Sequence, residues 1–303
     1  MIVVFGSLNM DFILQVAHLP EPGETVLTPE HVTAPGGKGA NQAVAAARAG
    51  GDVAMAGCVG ADDFGRELTS VMIGEGIDMS LVATATRPTA LAVVMVDREG
   101  ANQIVVSSGA NREARQACVR DGVLDAASTL LLQREVPVDE CATLARRARD
   151  AGVRVILNAA PAGPVDCDVL DLLIVNEVEA AAVARETGLG GMAPADLAHH
   201  LARHHGVTTV VTLGERGAVA VGPGETWSIG SLAIRPVDTV GAGDAFCGTL
   251  AAALDMDMPL PRALRRACVA GALACLEPGA MPALPRSEAI DARLKELAPA
   301  VAV

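Results

Sequence analysis

Aromatic side chains are nearly missing: one tryptophan (Trp227) and four phenylalanines stand among 303 residues, with no tyrosine. Platforms of stacked rings for bases need several exposed aromatic faces, so nucleic-acid recognition by that route is disfavoured. Charge is also scarce at 19%, and lopsided, with 23 basic against 36 acidic residues and a net −13. That balance opposes a polyanion or an anionic membrane as partner, and any phosphate must be held locally. No charge-free run approaches the roughly 18 residues of a membrane span. Lys38 is the first basic residue, which fits neither a signal peptide nor an Arg-rich transit peptide, so a mature, cytoplasmic N-terminus is expected. Cys58, Cys118, Cys141, Cys167, Cys247, Cys268 and Cys275 form no C-x-x-C pair. An odd number cannot all pair within one chain, and buried thiols in a reducing compartment are expected.

Several chemistry-bearing motifs are absent too. Gly37-Lys38 is followed by Gly39 and has Val32 where a P-loop needs its first glycine. The first strand runs on into Gly6-Ser7-Leu8-Asn9-Met10-Asp11 without the dinucleotide-binding G-x-G-x-x-G, and H-E-x-x-H and G-x-S-x-G do not occur. His200 and His204 share a helical face at i, i+4; a metal pair and an exposed polar face between Leu197 and Leu201 are the two readings.

What is present is 51% hydrophobic residues, enough for a sizeable core. Short β-branched runs alternate with Ala-rich segments, the pattern of βαβ units and a mostly parallel, doubly wound sheet. Strands are expected at Ile2–Phe5, Val53–Val59, Thr129–Gln133, Val153–Leu157, Leu172–Val175 and Thr208–Leu213, with helices at Gly39–Ala49, Asp139–Asp150, Ala245–Leu254 and Pro261–Leu276. Two stretches break the rhythm. Phe12–Val16 with the segment to Pro35, and Leu91–Val96 with Asn102–Val106 around the turn Asp97-Arg98-Glu99-Gly100, read as strand pairs that form a small β lid, about 12–35 and 90–107, on a single domain of residues 1–303. The apolar lid strands would leave an open edge that a second copy could cover.

Three constellations stand at expected strand ends, where α/β sheets place ligands. Asn9 and Asp11, two apart on an extended chain, point the same way and suit the vicinal hydroxyls of a polyol; a turn or cap is the competing reading. Gly36-Gly37-Lys38-Gly39-Ala40-Asn41 leads into a helix, combining unpaired N–H donors with the side chains of Lys38 and Asn41. In Asp238-Thr239-Val240-Gly241-Ala242-Gly243-Asp244 nothing bulky screens the N–H groups of Gly241, Ala242 and Gly243, which suits an anion hole. Asp244 is then either a helix cap or a general base.

Together these motifs resemble the ribokinase-like (PfkB) carbohydrate kinases nearly end to end. Val4–Asp11, Pro22-Gly23-Glu24-Thr25, Gly36–Ala43, Val59–Gly65, Leu132-Gln133-Arg134-Glu135, Asn176-Glu177-Val178-Glu179 and Asp238–Phe246 fall in the family's order. The resemblance implies a doubly wound α/β fold and ATP-dependent phosphorylation of a sugar, D-ribose at its primary hydroxyl O5, with another pentose, a hexose or a nucleoside as alternatives. It implies that Asn9, Asp11, Gly37, Lys38, Asn41 and Glu135 hold the sugar, that Asp244 is the base, and that Gly241, Ala242 and Gly243 form the anion hole. It further implies that Asn176 and Glu179 organise Mg2+ near the ATP phosphates, and that Thr212, Leu213 and Gly214 line the nucleotide cleft. Cys268 stands where the family often has an Asn near the adenine. A K+ site would fall at Asp238, Val240, Ala274, Glu277, Gly279 and Ala283, and the assembly would be a homodimer. The chain departs from the family pattern at Leu276-Glu277, at Cys268 and at Arg134, which replaces an apolar residue. A non-catalytic sugar or nucleotide sensor on the same fold is the reading from another class; no helix-turn-helix or basic patch is left over to serve it.

Overall fold

The computed structural model describes residues 1–99 and 101–303. Strand β1 (Ile2–Phe5) puts Ile2 and Val4 on one face and Val3 and Phe5 on the other, all fully buried, as the period of two requires in a sheet covered on both sides. It lies between β4 (Val53–Gly60) and β8 (Thr129–Leu132), parallel to both. Beyond β8 follow β9 (Arg154–Asn158), β10 (Leu172–Asn176) and β11 (Thr208–Thr212), all parallel, and beyond β4 lies β5 (Asp78–Ala85). The far edge turns antiparallel through β12 (Ala218–Gly222), β13 (Glu225–Ile229) and the short β14 (Val301–Ala302), giving ten strands in the order β14-β13-β12-β11-β10-β9-β8-β1-β4-β5.

Helices cover both faces. On one side α1 (Lys38–Arg48), α2 (Asp63–Gly74), α7 (Ala242–Asp255), α8 (Leu260–Ala274) and α9 (Ser287–Arg293) pack with Ile2, Val4, Met55, Leu131 and Ile174. On the other, α3 (Asp121–Leu124), α4 (Val138–Asp150), α5 (Glu177–Glu186) and α6 (Pro194–His205) enclose Val3, Phe5, Leu130, Leu173 and Val211. The six strands expected for this sheet are all present within one or two residues. Strands β5, β13 and β14, not expected from the sequence, have partly exposed or short patterns, whereas β12, also not expected, is a buried apolar run, Ala218–Gly222, that follows β11 after a short turn.

A second, four-stranded sheet has the order β3-β2-β6-β7, built from β2 (Asn9–Gln15), β3 (His31–Gly36), β6 (Ala90–Val96) and β7 (Asn102–Ser107). Strand β2 begins at Asn9, three residues before the expected Phe12, so Asn9 and Asp11 belong to this sheet. In the β6–β7 turn Asp97 Oδ1 accepts from the N–H groups of Glu99 and Ala101, both at 2.9 Å; Gly100 of the expected turn lies outside the described residues. The sheets are tied at Asp62, the N-cap of α2: its carboxylate accepts from Gly65 N–H at 2.9 Å and from Thr89 N–H at 2.7 Å and Oγ1 at 2.6 Å, just before β6. Among the described residues no helix is long and apolar enough to cross a membrane, and all seven cysteines are free.

Candidate active site

The polar residues gather where the parallel strands end. After β1 the chain turns into β2, and there Gly37, at φ 93°, delivers α1 against it. A side chain at Gly37 would meet Asn9 N and Ser7 O at 2.9 Å, so only glycine fits both the conformation and the approach. Ala40 N–H donates to Ser7 O at 2.9 Å. Ser7, fully buried, joins three segments: its Oγ donates to Glu135 Oε2 at 2.6 Å and accepts from Gly39 N–H at 3.2 Å, while Lys38 N–H reaches the same Glu135 oxygen at 3.1 Å.

Asn9, Lys38 and Glu135 thereby border one cleft together with Asn111 and Arg112. Asn111 Nδ2 donates to Asn9 Oδ1 at 2.7 Å, and Asn111 Oδ1 accepts from Leu8 N–H at 3.0 Å, which fixes the Asn9 amide. Asp11 follows on the same face of β2. Its Oδ1 is buried without a protein partner among the described residues, and burial, helped by the Glu135 and Asp244 carboxylates, pushes its carboxyl up to about 6. Arg134 also borders this cleft, and its guanidinium packs on Gly163 and donates to the Pro164 carbonyl.

Lys38 also borders a second cleft with Asn158, Asn176, Glu179, Thr212, Gly241, Gly243, Asp244 and Cys247. Helix α7 starts there behind Gly241, at φ 79°. Its first turn, Ala242-Gly243-Asp244, exposes helix N–H groups. The Ala242 N–H is turned back to Thr239 O at 3.3 Å, whereas no protein acceptor meets the Gly243 N–H among the described residues. Asp244 does not cap its own helix. Its carboxylate, 7% exposed, accepts from Asn41 Nδ2 at 3.0 Å on Oδ2 and from Gln42 Nε2 at 2.9 Å on Oδ1, both from α1. Burial raises the Asp244 carboxyl, against the opposing pull of Lys38 and the two amides. For Lys38, burial pulls the ammonium down, and Asp244, Glu135 and Glu179 outweigh it, so the charged form is favoured. One turn beyond Asp244, Gly248 lets α7 lie against α1; a Cβ there would overlap the Gln42 carbonyl.

Asn176 and Glu179 form a capping box on α5: Asn176 Oδ1 accepts from Glu179 N–H at 2.8 Å and Glu179 Oε2 from Asn176 N–H at 2.9 Å. Burial raises the Glu179 carboxyl, with Asp244 adding and Asn176 and Lys38 opposing. Leu213 and Gly214 form the turn after β11, with Leu213 N–H on Gly217 O at 2.8 Å, outside the cleft lining. Cys268 sits in the apolar core on α8, where burial pushes its thiol up to about 12. Asp238 joins two loops, accepting from Val240 N–H at 3.0 Å and Gly279 N–H at 2.8 Å, beside Gly241 and Ala280. Ala274 and Ala283 are buried nearby and Glu277 is exposed. The His200 and His204 rings lie 4.2 Å apart, but no group of three or more His, Cys, Asp or Glu is placed to hold a metal among the described residues.

Ser7, Gln42, Gln133, Asn111 and Asn158 carried no assigned role in the sequence reading. Gln133 gave one signal, a polar residue closing an apolar strand; Asn111 and Asn158 gave none.

The chain matches the pfkB family carbohydrate kinase profile over residues 1–287. The ribokinase of Haemophilus influenzae is 34% identical over 298 residues, covering 96% of this chain and 97% of that one. The crystal structure of ribokinase from Thermotoga maritima superposes with a TM-score of 0.91 at 32% identity, over 97% of this chain and 99% of that one. Arabidopsis thaliana ribokinase complexed with ribose and ATP superposes with a TM-score of 0.86 at 31% identity, over 97% and 98%.

Proposed function

Because this chain belongs to the pfkB family of carbohydrate kinases, enzymes that phosphorylate a sugar hydroxyl, we propose that it transfers the γ-phosphoryl group of ATP to O5 of D-ribose, with Asp244 as general base. The observation that carries the assignment is Asp244 itself. It is a buried carboxylate whose oxygens are oriented by Asn41 and Gln42 rather than by its own helix, and it borders a cleft with Lys38 and the glycine-rich start of α7. Asp244 takes the proton of O5 as that oxygen bonds to the γ-phosphorus, and the bond to the β-phosphate oxygen breaks to release ADP. Lys38 and the N–H groups of Gly241 and Gly243 offset the charge on the transferring group, while the Ala242 N–H, expected from the sequence to join them, is taken up by Thr239 O. A base whose pKa is raised by burial takes that proton more readily than an exposed carboxylate.

The sugar is assigned to Asn9, Asp11, Gly37, Lys38, Asn41 and Glu135. Asp11 Oδ1 and Asn41 Oδ1, both buried acceptors without a protein partner among the described residues, are suited to sugar hydroxyls. The nucleotide is assigned to the side of Asn176, Glu179, Thr212, Leu213, Gly214 and Cys268. Asn176 and Glu179 fit a role toward Mg2+ on the phosphates, since the Glu179 Oε1 is left free by the capping box among the described residues. Mg2+ supplies charge neutralisation on the phosphates. The oxygen-only set of Asp238 and the backbone carbonyls around Val240, Ala274, Glu277, Gly279 and Ala283 suits K+. The four-stranded sheet acts as a lid that excludes water, and its exposed β7 residues Ile104, Val105 and Val106 pair with a second copy in a homodimer. The proposed site of action is the cytoplasm.

In Asp244→Asn, kcat is expected to fall by about 10²–10⁴ with the sugar KM little changed. Turnover within tenfold of the parent contradicts the assignment.

A further inference from the structure

The Gln42 side chain is bound at both ends of its amide. Nε2 donates to Asp244 Oδ1 at 2.9 Å and to Asn158 Oδ1 at 3.0 Å, and Oε1 accepts from Gln133 Nε2 at 2.7 Å. Gln42 and Gln133 are fully buried, Asp244 is 7% exposed and Asn158 8%. An amide in such a place has two orientations, related by exchanging N and O. Turned the other way, Gln42 would set its oxygen against an acceptor-only carboxylate and against Asn158 Oδ1, whose own amide is held by donation from Nδ2 to Ile174 O at 3.3 Å. The Gln133 donor fixes Gln42 from the opposite end.

Gln133 borders neither cleft, and its Oε1 is buried without a partner among the described residues. That oxygen fits only because residue 6 is glycine; a Cβ there would overlap it. A buried glutamine that leaves one acceptor unpaired is costly as mere filling, since an apolar side chain of similar size would leave none.

We propose that Gln133 is a positioning residue for the reaction: through Gln42 it keeps an N–H donor on the Asp244 carboxylate and so sets the pH at which Asp244 can accept the proton of the sugar hydroxyl. This rests on the reading of Asp244 as base. The charged and titratable groups facing Asp244 are Lys38 from α1, Glu135 after β8, Asp11 from β2, Glu179 from α5 and Cys247 on α7 itself. All of these are retained when Gln133 is changed, so a shift in the profile reports on the amides.

The test is the pH dependence of kcat for the full chain with D-ribose and ATP in wild type, Gln133→Met and Gln133→Glu, with Asp244→Asn alongside. In Gln133→Met the acid limb is expected to move up by about 0.5–1 pH unit, and kcat at pH 7 to fall about 3–10-fold with the sugar KM within twofold. In Gln133→Glu the new carboxyl can donate to Gln42 Oε1 only while protonated. Its activity is therefore expected to lie near wild type at low pH and to fall as pH rises, a descending limb that the Met variant lacks. Loss of fold would move melting temperature without producing this pattern; should Gln133→Met not fold, the Gln133→Glu profile decides. An acid limb unmoved in Gln133→Met, or a wild-type profile in Gln133→Glu, overturns the relay. If Asp244→Asn retains turnover within tenfold, it is the base assignment that fails instead.

Discussion

Asp11 carries a conflict between folding and binding. Its carboxyl is raised from 3.8 to about 6, by burial first and then by Glu135 and Asp244. A raised carboxyl binds its proton more tightly in the folded than in the unfolded chain, so stability is fullest below the unfolded value and is lost as pH rises through about 4 to 6. The loss at neutral pH is at most about 3 kcal/mol. Asp11→Asn is accordingly expected to raise the melting temperature at pH 7.5 and to leave it nearly unchanged at pH 4, while weakening sugar binding by about tenfold or more. Thermal melts at the two pH values, with sugar titrations, check both parts. A melting temperature unchanged at both would show that Asp11 is not held against its charge.

At the scale of elements, the contact of α1 with α7 brings base and amides together. Gly248, one turn from Asp244, has no room for a side chain against α1, and Gln42 supplies both the carbonyl it faces and the amide that binds the carboxylate. Gly248→Ala is expected to cost about 1–3 kcal/mol by overpacking and to lower kcat more than the sugar KM, because α7 must move away from Asn41 and Gln42. Denaturant melts with steady-state kinetics check it; unchanged stability and kcat would mean that the two helices part without consequence. The same contact marks the limit of what could be read from sequence. The glycine-rich turns, Lys38, Glu135 and Asp244 stood out because they sit in short local patterns. Asn111 with Asn9, Gln42 with Asn158, and Gln133 with Gln42 are 102, 116 and 91 residues apart, and no local period reports such pairs. Strand β2 starts three residues earlier than its sequence pattern indicates for a related reason: Asn9 pairs with Gly36 and Ala90, contacts that only the assembled second sheet provides.

On the scale of the whole molecule, the parallel core was legible because each central strand is a short apolar or β-branched run buried along most of its length, from Ile2–Phe5 to Thr208–Thr212. The antiparallel edge was not, because β13 and β14 are half-exposed or exposed and short. The second sheet leaves Ile104, Val105 and Val106 of β7 and Val32 of β3 at half exposure or more. A homodimer through these strands is expected to show twice the chain mass of 30.8 kDa by light scattering at micromolar concentration, and a monomer would remove the proposed role of the edge. Phosphoryl transfer to a sugar hydroxyl remains the central claim. Its most direct test is ADP release with ATP and Mg2+, in potassium and in sodium, across D-ribose, 2-deoxyribose, fructose, adenosine and cytidine. D-ribose is expected to be turned over in preference to all the others, with phosphate on O5 and the rate higher in potassium; preference for a nucleoside or a hexose would contradict the substrate, and no ADP release with any of them would contradict the kinase.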